Sequence, residues 1–121
     1  MSVTFFSISL DCADAGKQAD FWAQVLNRSV DDGASPEFAA IGLQPGGEAA
    51  GVVWMFHRVP EAKQAKNRVH VDFLAPDLTA EVERVLTLGA THIRDVDEGG
   101  YQWATLADPE GNEFDIVATP Q

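Results

Sequence analysis

The sequence predicts an α+β fold made of two similar βαβββ modules with a cleft between them. Three observations carry this expectation. The run Phe6-Ser7-Ile8-Ser9-Leu10, closed by Asp14, returns at one constant offset as Val69-His70-Val71-Asp72-Phe73, closed by Asp77. Each run is followed by a helical apolar stripe, and each stripe by further strand-like segments. At 121 residues the chain suits one compact domain, 1–121, with the first module at 1–62 and the second at 68–121.

In the first module Phe6, Ile8 and Leu10 alternate with Ser7, Ser9 and Asp11, the period of a strand with one buried face. Asp14 has the carboxylate that satisfies a helix N-terminus. Ala19, Trp22, Ala23 and Leu26 then recur at helical spacing, and Asn27 tolerates the left-handed conformation that ends helices. A short strand is expected near Arg28 to Val30, then strands over Phe38 to Leu43 and Val52 to His57 joined by a turn at Pro45-Gly46-Gly47. The polar stretch Pro60 to Asn67 is the expected linker.

The second module opens with Val69, Val71 and Phe73 on one strand face and Arg68, His70 and Asp72 on the other. Asp77 caps a helix with the stripe Leu78, Val82, Val85 and Leu86, which stops at Gly89. Strands follow at Thr91 to Asp95, Tyr101 to Leu106 and Glu113 to Ala118. Gly99-Gly100 and Asp108-Pro109-Glu110-Gly111-Asn112 supply the turns between them. With one sheet face under each helix, parity sends Phe5, Ser7, Ser9 and Asp11, and in the second module Arg68, His70, Asp72, Glu113 and Asp115, to the opposite face. Such a polar face is either wet or lines a site.

Composition narrows the function classes. Nineteen acidic residues against eight basic ones give a net charge of −11, which repels nucleic acid and anionic membranes. Half of the basic residues, Arg58, Lys63, Lys66 and Arg68, gather beside the second module, either as a site for an anionic group or as a solvated linker. No apolar run approaches the roughly 20 residues of a bilayer span. Without a signal-peptide pattern, and with Cys12 as the single cysteine, a soluble cytoplasmic protein is expected.

Several residue types bear chemistry. His70 between Arg68 and Asp72 reads as a proton acceptor with an anion-binding guanidinium, or as an ion-paired strand surface. Cys12 lies just before a helix start but lacks an evident partner base, so a packed thiol is expected. Trp54, Phe56 and Trp103 line a pocket for a flat ligand or fill the core.

Leu10-Asp11-Cys12-Ala13-Asp14, Ala19-Asp20-Phe21-Trp22-Ala23 with Val25-Leu26, Asn67-Arg68-Val69-His70-Val71-Asp72, Leu88-Gly89-Ala90, and Trp103 through Leu106-Ala107-Asp108-Pro109-Glu110-Gly111-Asn112-Glu113-Phe114 cover nearly the whole chain. In these segments it resembles the vicinal oxygen chelate superfamily, the group of glyoxalase I, bleomycin-resistance proteins and extradiol dioxygenases. The resemblance implies paired βαβββ modules around a cavity, often completed by a second chain, and in active members one divalent metal held by first- and last-strand side chains. Carried over, the first-strand positions are Ser7 and His70, and the last-strand position of the second module is Asp115. The counterpart in the first module falls near Trp54 to Phe56, where no good ligand stands, and Ser7 departs from the usual histidine, glutamate or glutamine.

Three functional readings follow. In the first, a cytoplasmic, homodimeric protein holds a small-molecule ligand in the cleft between modules without a complete metal site, with Ser7, Trp54, Phe56 and Trp103 as contacts. The alternative is a metal-assisted lyase, isomerase or dioxygenase-type enzyme, with a divalent metal on His70 and Asp115 and a third ligand from Asp72 or His57. The third is an interaction domain that uses neither.

Overall fold

The computed structural model describes residues 2–44 and 51–120. The turn expected at Pro45-Gly46-Gly47 lies outside them. The chain divides into two compact units, Met1–Ala62 and Lys63–Gln121.

The first unit contains β1 (Ser7–Cys12), α1 (Ala15–Leu26), β2 (Phe38–Ile41) and β3 (Val53–Arg58). Its sheet runs β1-β3-β2, with β1 parallel and β2 antiparallel to β3. Asp14 accepts from the Lys17 amide at 3.0 Å to start α1, and Asn27, at φ 54°, ends it. The face of α1 carrying Ala15, Ala19, Trp22 and Ala23 is buried. Against it stand Trp54 and Phe56, both in the core, with the Trp22 and Trp54 rings stacked at 5.1 Å.

Two expectations for this unit are corrected. Phe6 is largely exposed, because the ladder begins at Ser7 opposite Val53 and leaves Phe6 ahead of the first rung. Arg28 to Val30 form no strand. The Arg28 amide is spent on the helix end, donating to the Ala23 carbonyl at 2.9 Å, and the chain reaches β2 only at Asp31, whose amide donates to the Ala40 carbonyl. The Asp31 carboxylate then accepts from the amides of Gly42, Leu43 and Gln44, tying down the chain beyond β2.

In the second unit β4 (Val71–Ala75), α2 (Leu78–Leu88), β5 (Thr91–Glu98), β6 (Tyr101–Ala107) and β7 (Glu113–Ala118) follow one another. The sheet order is β4-β7-β6-β5, with β4 parallel to β7 and the other pairs antiparallel. Asp77 accepts from the Ala80 amide at 3.1 Å and Gly89, at φ 120°, closes α2, so both helices share the same acidic start. Ala75, Val85, Ala104, Leu106, Phe114 and Ile116 form the core. Burying a side chain such as Phe114 stabilises by about 1.5–3 kcal/mol.

The first strand of this unit starts later than its alternation suggests. Its ladder opens with Val71 opposite Phe114, so Arg68, Val69 and His70 precede the strand, and Val69 is 80% exposed. α2 packs chiefly against β7 and β6, and Val85 is its one buried residue; Leu86, expected in the stripe, is exposed. Among the described residues no helix is long and apolar enough to cross a membrane.

Candidate metal centre

The site begins with a turn. Asp108 is buried, and its carboxylate accepts from the amides of Glu110 and Asn112 and from the Asn112 side-chain amide at 2.9–3.0 Å. Gly111 adopts φ 92°, a conformation that a Cβ would strain. The Asp-Pro-Glu-Gly-Asn run thus serves as a rigid hairpin connection that fixes the β6–β7 register. That register sets Thr105 opposite Asp115, while the parallel β4–β7 ladder sets Asp72 opposite the same residue.

The sheet face turned away from α2 therefore carries Asp72, Thr105 and Asp115 together, with His70 just ahead of β4. His70 Nε2 lies 3.3 Å from Asp115 Oδ2 and 3.4 Å from Asp72 Oδ1. One donor atom from each of the three residues falls within 4.8 Å of the others. Asp115 is the anchored member: its side chain is 14% exposed, and Thr105 Oγ1 donates to its Oδ1 at 2.5 Å. Asp72 is more open to solvent.

Partial burial, then the hydrogen bond and the charge of Asp115, push the Asp72 carboxyl above its ordinary 3.8, while His70 pulls the other way. Two carboxylates this close repel, and a cation between them relieves the repulsion. On the same face Glu113 bonds Lys66 Nζ at 2.9 Å and has Arg94 at 3.8 Å. Lys66 foremost holds its carboxyl below the usual 4.5.

One imidazole and two carboxylates form a mixed donor set that suits divalent first-row metals and leaves coordination positions open to an oxygen-bearing ligand. The structure brings together His70, Asp72 and Asp115. Among the described residues no hydrogen bond or ion pair joins Arg68 to that cluster; Arg68 is exposed ahead of the strand. Ser7 is half-buried in β1 on the face turned from α1, shared with its cross-strand counterpart Val53 and with Met55, which stands opposite Ser9. Trp54 and Phe56 lie on the opposite face, under α1. Trp103 is half-buried on β6, opposite Val117. Of the basic group beside the second module, Arg58 pairs with Glu37 and Lys66 with Glu113. Cys12 is a packed thiol whose S–H points at the His57 carbonyl, 3.4 Å away.

Sequence reasoning missed Thr105. Once the Asp108 to Asn112 turn is recognised, counting outward along both strands brings Thr105 to Asp115, so the signal was present in the hairpin.

Comparison with known proteins places these features in context. A family model described as a glyoxalase-like domain matches residues 7–117. A glyoxalase/bleomycin resistance/dioxygenase family enzyme from Burkholderia phytofirmans shares 18% identity and a TM-score of 0.72, covering 93% of this chain and 95% of its own. The fosfomycin resistance protein FosX from Listeria monocytogenes is 17% identical with a TM-score of 0.74, covering 98% of this chain and 95% of its own. A variant of FosX complexed with Mn(II) and 1S,2S-dihydroxypropylphosphonic acid is 15% identical with a TM-score of 0.75, covering 96% of this chain and 90% of its own. No curated protein matches the chain. The family match along nearly the whole chain and the shared fold establish that it belongs to the glyoxalase-like domain family of the vicinal oxygen chelate superfamily.

Proposed function

We propose that the chain binds a divalent metal through His70, Asp72 and Asp115 and uses this centre to hold and activate a small oxygen-bearing molecule, as a lyase, isomerase or dioxygenase-type enzyme. The observation that carries the reading is the convergence of one imidazole nitrogen and two carboxylate oxygens within 4.8 Å. It also draws support from the FosX variant, whose complex contains Mn(II). A bound divalent ion would polarise a carbonyl or stabilise negative charge on substrate oxygens. The protein's own part is positional. Thr105 fixes the rotamer of Asp115, Asp115 and Asp72 both approach His70 Nε2, and Lys66 and Arg94 stand beside Glu113 on the same face, where they would attract an anionic arm of the substrate.

A second reading is favoured by the first unit, whose corresponding face offers Ser7 and Met55 where a metal-dependent homologue needs ligands. In that reading a homodimeric, cytoplasmic protein sequesters a small molecule in a cleft between paired modules and needs no metal. Calorimetric titration of the purified chain with Mn(II), Ni(II), Zn(II) and Fe(II), followed by turnover assays on thiol-aldehyde adducts, separates the two. Saturable binding that His70→Ala abolishes supports the metal reading. Absence of binding for all four ions would overturn the metal reading.

A further inference from the structure

The other face of the second unit's sheet carries a feature that the metal centre does not use. A β-bulge interrupts the β5–β6 ladder between His92 and Arg94: His92 pairs with Leu106 and Arg94 with Thr105, leaving Ile93 unpaired. In a regular strand, residues three apart point to opposite faces. Here the extra residue turns His92 and Asp95 to the same face, the one toward α2, where His92 Nε2 meets Asp95 Oδ1 at 2.9 Å. Asp97, two residues on, follows Asp95 to that face.

Because α2 packs chiefly over β7 and β6, the flank of β5 is left open, and a cavity of about 490 Å³ lies between the helix and the strand. Leu78 and Val82 of α2 supply an apolar wall. Glu83 from the helix and Asp95 and Asp97 from the strand bring carboxylates to it from two sides, and no lysine or arginine lines it. The volume lies in the range of small-molecule sites. The charge pattern selects the occupant: an anion meets three carboxylates and a net charge of −11, whereas an organic cation gains both the local field and the apolar wall.

We propose that this groove between α2 and β5 is a second ligand site, separate from the metal centre, that binds small organic ammonium ions with an apolar body. The ammonium group sits between Glu83 and Asp97, the hydrocarbon part lies on Leu78 and Val82, and the His92–Asp95 pair closes one end. Binding here does not depend on the metal reading of His70, Asp72 and Asp115.

The test is titration of the isotope-labelled full chain with benzylammonium, followed by amide NMR, beside its neutral analogue benzyl alcohol. Saturable shifts confined to Val82, Val96, Gln102 and their neighbours are expected with benzylammonium, and none with benzyl alcohol. The double variant Glu83→Gln, Asp97→Asn should weaken binding by at least about tenfold, the scale of losing a charged partner. An unchanged NMR fingerprint outside the groove and unchanged melting temperature show that this variant is folded. The proposal is overturned if benzyl alcohol binds as well as the cation, if shifts fail to saturate or centre on His70, or if the folded double variant binds like the parent.

Discussion

Asp115 has its two carboxylate oxygens committed in different directions: Oδ1 takes the hydroxyl of Thr105 at 2.5 Å, and Oδ2 lies 3.3 Å from His70 Nε2. The first contact comes from the antiparallel neighbour β6, and the second from the residue that leads into the parallel neighbour β4. β7 is thus the strand on which the cluster is assembled.

Replacing Asp115 with Ala, or His70 with Ala, should weaken Mn(II) binding by more than about 100-fold, since each supplies a donor atom. Thr105→Val should cost about tenfold, in line with the loss of an outer partner that orients a ligand. Calorimetric titration of the three variants checks the order, and a Thr105→Val affinity equal to the parent's would remove Thr105 from the site.

Asp72 gives a pH-dependent signature in the metal-free protein. Its carboxyl is raised above 3.8 on folding, so between 3.8 and the raised value the folded chain holds a proton that the unfolded chain has released. Stability contributed by this group therefore falls as pH rises through that window, and the penalty persists at neutral pH. Asp72→Asn should raise the melting temperature at pH 7 in the presence of EDTA, with the gain shrinking toward acid. A loss of stability at pH 7 would contradict the burial cost and, after it, the effect of Asp115 described for this carboxylate.

Glu113 predicts the opposite sign. Its carboxyl is depressed below 4.5 by Lys66 first and then by the other basic groups nearby, so its stabilisation is complete above the unfolded value and disappears as pH falls through the folded one. Glu113→Gln should destabilise at neutral pH by about 0–1 kcal/mol, the range of surface ion pairs, and less at high salt. Urea denaturation across pH and ionic strength reads both trends.

Trp54 and Phe56 are tested through stability. Each is packed under α1, and truncating Phe56 to Ala should cost about 3–5 kcal/mol. Chemical denaturation measures it; a cost below about 1 kcal/mol would show that the site is not a packed core.

Much of this architecture was legible because its signals are local. Asp14 and Asp77 announce helices by capping chemistry, Gly89 and Asn27 end them, and the Asp108 to Asn112 run spells out its own turn. The parity that sends Asp72 and Asp115 away from the helix follows from period two alone. What stayed hidden is set by pairing between distant segments. Val69 continues the alternation of Val71 and Phe73 yet has no rung to join, because the partner strand's ladder ends at Phe114. Arg28 to Val30 have strand-like composition, but the helix end claims the amide of Arg28. The approach of Asp72 to Asp115 needs the parallel β4–β7 register, which no short window of sequence contains.

Ile93 shows how much a single position can decide. Were the outer strand drawn back to strict alternation from Arg94 onward, Ile93 would face α2 in place of His92, and the imidazole would turn toward the side of the sheet that bears Thr105. A one-residue register shift of the segment before Arg94 would exchange a titratable surface for an aliphatic one while the strands beyond kept their neighbours, so the chemistry on the back of this sheet can change without redesigning its front.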